Sequence, residues 1–176
     1  MIFYKFFHKK QQGFTIIELI ATIAILAFGI IGAYSAFSPL VSVTYNISNK
    51  LSAVYLAQEG MEIVRNLRDN NFINNQSWSL GLLDCDVGCQ LDYKTSTTEE
   101  QLENQLKDYN PLEFLKVGND GFYSYDAGGT NSIFKRKVTI TQEEGTEALR
   151  VVVDIYWIYA GKSYSYQTIG YLYNWY

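Results

Sequence analysis

The side chains able to do chemistry are few in this sequence. Two cysteines, Cys85 and Cys89, stand in LDCDVGCQLDY with Asp84, Asp86 and Asp92 around them, and the one histidine, His8, lies in the first ten residues. Much acid–base and metal chemistry runs through imidazole, so the body of the chain lacks the usual means of catalysis. It also shows no nucleophile beside a recognisable base, and an enzyme is not expected. Two thiolates without histidine are too few for zinc. The aspartates miss the EF-hand spacing, because Gly88 stands where a third oxygen ligand would be. They read as a solvated acidic loop, and no metal or other cofactor is expected. Gly161-Lys162-Ser163 matches only the end of a phosphate-binding loop, with Tyr156 in place of its first glycine. The chemistry left to the cysteines is with each other. Oxidation is favoured outside the cytoplasm, and their spacing can close a disulfide around a turn holding Gly88, pinning the loop between helix and sheet.

Composition narrows the class further. The chain has 176 residues, 48% of them hydrophobic and 18% charged, which excludes a disordered tail or a low-complexity polymer. Its formal charge is −4, so a nucleic-acid footprint over the whole surface is not expected. Lys135-Arg136-Lys137 is the tight basic cluster of the body and reads as a solvated strand face, not a DNA contact.

Charge placement says more than total charge. Lys5, Lys9 and Lys10 open the chain, and Glu18 is then the only charge before Lys50. Phe14–Val41 (FTIIELIATIAILAFGIIGAYSAFSPLV) is long enough to span a bilayer. The preceding lysines put the N-terminus in the cytoplasm and the rest outside. A secretory signal peptide with small residues near Ser35-Ala36, or a plain single-pass anchor, would account for the apolar run. Neither accounts for Glu18, since a carboxylate at that depth costs on the order of 2–3 kcal/mol or more and usually has a partner.

The segment KKQQGFTIIELIATIAIL resembles the prepilin signal of type IV pilins and pseudopilins. It has a short basic leader, Gly13, then Phe14, with Glu18 fifth in the mature chain. The resemblance implies cleavage between Gly13 and Phe14 by prepilin peptidase, N-methylation of Phe14, and retention of the apolar helix in the product. It implies assembly with other pilin subunits, in a homo- or hetero-polymer, by inner-membrane machinery. It also supplies a partner for Glu18, the cationic terminus of Phe14 on a neighbouring subunit, because buried opposite charges must compensate one another. In an isolated monomer Glu18 can instead snorkel to the cytoplasmic headgroups; the two states precede and follow assembly.

LAQEGMEIVRNLRDNNF and the aromatic C-terminus are similar to minor pilins and pseudopilins. The mid-chain cysteines depart from the many pilins that staple a C-terminal loop, so an adhesive role for the disulfide loop does not carry over. The expected function is a type IV pilus subunit serving adhesion, motility or DNA uptake. The alternatives are a pseudopilin of a secretion or DNA-uptake machine and a membrane-anchored extracytoplasmic binding module. The expected location is the inner membrane before assembly, and an extracellular pilus or periplasmic pseudopilus after it.

The elements that must position these residues follow an α+β plan. Residues 1–13 are the leader, and removing them takes three lysines and moves the formal charge from −4 to −7 before the new amine is counted. Residues 14–41 form the membrane or filament-core helix, and 42–72 its outer half, together roughly 88 Å at about 1.5 Å per residue. Leu51, Val54, Ala57 (or Gln58), Met61, Val64 and Leu67 recur at helical steps, with Arg65 and Asp69 at i,i+4 on the solvated side. Asn70–Asn75 ends the pattern. Pro39 removes the bond to the carbonyl of Ser35, and Gly29 and Gly32 weaken the same region. A kink or local melting is expected there, either as a segment that unwinds on assembly or as a bend where the helix leaves the bilayer.

Residues 73–131 read as irregular, with a short helix over Thr98–Asp108 capped by Thr98 and Gln101 and a hairpin turn at Gly118–Gly121. Residues 132–176 read as a three-stranded antiparallel sheet. Phe134, Val138 and Ile140 share one face with Arg136 between them, Glu143-Glu144-Gly145 and Ala160–Ser163 turn, and Gly170 suggests a bulge. Tyr156, Tyr159, Tyr164, Tyr166, Tyr171, Tyr173 and Tyr176, with Trp157 and Trp175, either fill a thin core or form a contact surface.

Overall fold

The computed structural model describes residues 13–95 and 106–175. Helix α1 covers Ile16–Ile73, and the chain divides into two compact units, one ending at Tyr45 and one beginning at Asn46. The first unit is helix with its apolar side chains in the open, Ile16 at 78% and Phe28 at 77% exposure. Such a surface is suited to lipid or to other helices and not to water. Helical structure continues unbroken through Gly29, Gly32 and Pro39, so the single chain does not melt there. Pro39 still denies the Ser35 carbonyl its usual donor.

In the second unit α1 presents Ala53, Leu56, Ala57, Met61, Val64 and Leu67 to the core. Leu51, expected on this face, is 53% exposed, because the buried stripe at that end of the helix runs through Ala53 and Leu56. Arg65 pairs with Glu62, and Asp69 with Arg68, instead of with each other. The helix stops as the asparagine run predicts. Asn75 adopts φ 54°, its N–H reaching the Phe72 carbonyl and that of Gln76 the Asn71 carbonyl, at 3.0 and 2.9 Å. That pair of bonds is a Schellman closure with asparagine in the position glycine usually takes.

Among the described residues eight strands follow: β1 (Cys89–Gln90), β2 (Lys107–Asp108), β3 (Lys116–Val117), β4 (Tyr123–Ser124), β5 (Thr130–Asn131), β6 (Phe134–Gln142), β7 (Leu149–Tyr159) and β8 (Lys162–Leu172). β6, β7 and β8 form the expected antiparallel meander, but the sheet has five strands, in the order β2-β1-β6-β7-β8. The two extra strands come from the stretch that reads as irregular. They are two residues long, too short for side-chain alternation to show, and are held by pairings such as Cys89 with Val138. Lys107 and Asp108, the end of the expected short helix, are strand; Thr98 and Gln101 lie outside the described residues. The Gly118–Gly121 turn does join β3 to β4, within a second sheet of order β4-β3-β5.

Gly170 is not a bulge. The β7–β8 ladder runs unbroken past it, opposite Val151. An added Cβ there would lie 2.9 Å from both Sδ and Cε of Met61, so the glycine leaves room for the end of that flexible side chain. The aromatic residues divide between the two roles open to them. Trp157, stacked on Tyr164 at 5.6 Å between ring centroids, belongs to the core with Phe134, and Tyr159, Tyr164 and Tyr166 pack against it. Tyr156, Tyr171, Tyr173 and Trp175 are exposed.

Arg136 is the largest correction. Lys135 and Lys137 do face outward, but Arg136 is fully buried between helix and sheet. Its guanidinium donates to the carbonyls of Leu56 (3.1 Å) and Leu91 (2.7 Å) and lies 3.4 Å from a Glu59 carboxylate oxygen. Gly60 lets it in, since a Cβ there would meet Arg136 Cδ at 3.1 Å and Val153 Cγ1 at 3.0 Å. A buried cation needs its donors used and its charge opposed.

Two stability outcomes follow from these contacts. Arg136→Ala should destabilise the chain by about 3 kcal/mol, from a cavity and an orphaned Leu91 carbonyl. Glu59→Gln should cost clearly less, because Glu59 is partly solvated; denaturant unfolding followed by near-UV circular dichroism orders the two. In the turn joining β7 and β8, Ala160 and Gly161 both have positive φ, 50° and 74°. Glycine or asparagine suits that conformation better than alanine. Ala160→Gly or Ala160→Asn should therefore raise stability by roughly 0.5–1 kcal/mol in the same assay.

Candidate functional site

The N-terminal segment is built around the start of α1. Phe14 is 82% exposed and precedes the helix. The first helical bond runs from the Leu19 N–H to the Thr15 carbonyl at 3.1 Å, and the Glu18 N–H reaches Thr15 Oγ1 at 3.3 Å. Thr15 thus caps the helix, with Glu18 three residues on, the T-x-x-E spacing that satisfies orphan donors at a helix N-terminus. The spacing is visible in the sequence, yet Thr15 is not among the residues the sequence reading selects, because Phe14 and Glu18 draw attention past it. Glu18 is exposed, and among the described residues no salt bridge includes it. Its place in the first turn suits a carboxylate, which the helix dipole favours there. Gly13 and Phe14 sit ahead of the helix, outside regular secondary structure.

Cys85 and Cys89 are placed as a disulfide. Their Cα atoms are 5.2 Å apart, and both residues are buried. Cys85 ends a short 3-10 turn (Leu83–Cys85), and Cys89 opens β1. Between them Gly88 takes φ +122° beneath the Lys137 side chain, where any Cβ would fall 2.2 Å from Lys137 Cε. The pair therefore ties the loop after α1 to the sheet.

Asp84 and Asp86 are exposed, as a solvated acidic loop requires, whereas Asp92 is buried and does structural work. Asp92 accepts from the N–H groups of Lys94 and Tyr125, both at 3.0 Å. Tyr93 donates to Asp120 at 3.0 Å, and Lys94 pairs with Asp126. Asp120 is held below its usual carboxylate range by the Phe122 N–H and then by the Tyr93 hydroxyl. Lys94 is raised, chiefly by its bond to Asp126. Burial pushes the Tyr125 phenol well up, and it stays protonated to donate to the Arg136 carbonyl at 3.2 Å. Among the described residues no cluster of three or more His, Cys, Asp or Glu is placed to hold a metal.

Residues 8–34 match a family model described as the prokaryotic N-terminal methylation motif. That motif is the prepilin signal of type IV pilins and pseudopilins. It overlaps the one helix, among the described residues, that is long and apolar enough to cross a membrane. No curated protein and no solved structure matches the chain.

If the cysteines are bonded as placed, intact mass should fall two hydrogens short of the dithiol. Iodoacetamide should then modify neither residue until a reductant and a denaturant are both added. Replacing both by serine should cost about 2 kcal/mol, the scale expected for so short a loop.

Proposed function

We propose that the chain is a subunit of a type IV pilus or a pseudopilus, made as a membrane-inserted precursor and assembled through its N-terminal helix. The observation that carries this reading is the methylation motif over residues 8–34, coincident with the start of a helix whose isoleucines, leucines and phenylalanines from Ile16 to Leu40 stand exposed. Prepilin peptidase would cut between Gly13 and Phe14 and methylate the new amine. The apolar helix would hold the precursor in the inner membrane, and then pack against other helices once extracted.

Glu18 serves both states in this scheme. In the monomer it lies near the cytoplasmic headgroups and completes the helix cap. In the assembly it offsets the charge of a neighbour's Phe14 amine, an arrangement that rejects registers leaving either charge unpaired. Pro39, with Gly29 and Gly32, marks the stretch where the helix has fewest bonds to lose if packing requires it to unwind. This chain performs no catalysis in the reading; its work is to assemble and to carry its head outward.

The pilus and the pseudopilus differ in where the product ends. Protein released from cells by shearing indicates a surface pilus, and none released indicates a short periplasmic assembly.

The deciding experiment is intact mass of the protein from its native membrane. The reading expects a chain starting at Phe14 with one added methyl. A start near Ala36 would mean an ordinary signal peptide, and an uncut chain would mean a static anchor. Glu18→Ala should still be cleaved but should be lost from assemblies, as counted in purified filaments or crosslinked membranes.

A further inference from the structure

The head unit has two unlike ends. Asn46, its first residue, donates from Nδ2 to the Tyr164 hydroxyl at 3.4 Å. Farther along α1, Met61 lies against Gly170, and Arg68 sits 5.6 Å from the centre of the Trp175 ring. Within this unit α1 therefore runs beside β8 in the same direction. The β7–β8 turn at Ala160–Gly161 lies about 10 Å beyond Tyr164, three residues at about 3.3 Å each. It extends toward the end of the unit at which the helix enters it.

The chemistry of that turn is unusual for a surface loop. Ile158 is 61% exposed, Tyr159 follows it, and Lys162 is the only charge from Ile155 to the C-terminus. The opposite end of the same strands is acidic. Glu143, Glu144 and Glu147 stand at the β6–β7 turn, all exposed. The 11 residues of β7 separate the two ends, about 36 Å at 3.3 Å per residue. That is several times the roughly 8 Å over which charge is felt at physiological salt. One end thus pairs an exposed aliphatic and a tyrosine with a cation, the composition that settles at lipid headgroups. The carboxylates lie beyond the reach of an anionic surface.

We propose that the β7–β8 turn is a membrane-contact element, resting on the phospholipid surface of the bilayer that holds the precursor. Ile158 enters the interface, and Lys162 meets lipid phosphate. This rests on the membrane-inserted reading above and adds to it a second, weaker attachment, which would restrain the head before assembly and release when the subunit is extracted.

The test uses the full chain in vesicles of phosphatidylcholine and phosphatidylglycerol. Native cysteines that are bonded and buried leave a single introduced thiol to carry an environment-sensitive fluorophore. Ile158→Cys, Ser163→Cys, Glu144→Cys and Ile25→Cys are each labelled, and nitroxide lipids serve as quenchers. The proposal expects quenching at Ile25, Ile158 and Ser163 and none at Glu144. Lys162→Glu should reduce quenching at Ile158 on anionic vesicles and leave it unchanged at Ile25. Quenching at Ile25 alone overturns the proposal while the membrane-inserted reading stands, and directs the search toward a protein partner for the turn. Equal quenching at Ile158 and Glu144 also overturns it. No quenching at Ile25 removes the membrane reading itself and the proposal with it.

Discussion

One guanidinium organises the head. Arg136 has no contact with water, so its charge must be opposed and its guanidinium bonded inside the protein. Two elements do this: α1, through the Leu56 carbonyl and the Glu59 carboxylate, and the segment after β1, through the Leu91 carbonyl, while Nε makes no hydrogen bond among the described residues. Those bonds set how α1 crosses the sheet, and with it the need for glycine at position 60. They also fix Leu91 one residue before Asp92, whose carboxylate gathers the N–H groups of Lys94 and Tyr125. Apolar contacts between Met61, Val64 and Leu67 and the sheet supply most of the attraction, but they are non-directional. The arginine gives them a register.

How far the sequence revealed this depended on the range of the interaction. The long helix, the three long strands and their turns were legible, because each is written in a local period or in turn residues at fixed spacing. The prepilin signal was legible for the same reason, with Gly13, Phe14 and Glu18 contiguous in the chain. Arg136 could be placed on the apolar parity of β6, between Phe134 and Val138, yet its neighbours Lys135 and Lys137 pulled the reading toward solvent. The partners that make burial tolerable lie 80 and 45 positions away, and no local pattern announces them. Strands β1 and β2 were missed for a related reason: two residues carry no alternation, and only pairing with β6 makes β1 a strand. Gly170 was misread because a glycine opposite a helix and a glycine in a bulge look alike until Met61 is seen against it.

The two units answer to different solvents, and this orders the functional argument. From Asn46 onward the chain buries its apolar residues in a core that it builds itself. From Phe14 to Leu40 it leaves isoleucines, leucines and phenylalanines bare, which water would penalise heavily. Such a segment cannot be the end state of a soluble protein, so its environment must be supplied by lipid, by other helices, or by each in turn. Glu18 makes the second environment the more demanding. Lipid lets the carboxylate reach the headgroups, whereas a packed bundle of helices gives it no water and requires a cation. The free amine that cleavage would create at Phe14, four residues earlier, is such a cation. On this argument processing is more than removal of a leader. In the proposed assembly it would also supply the charge that burial of Glu18 among helices requires.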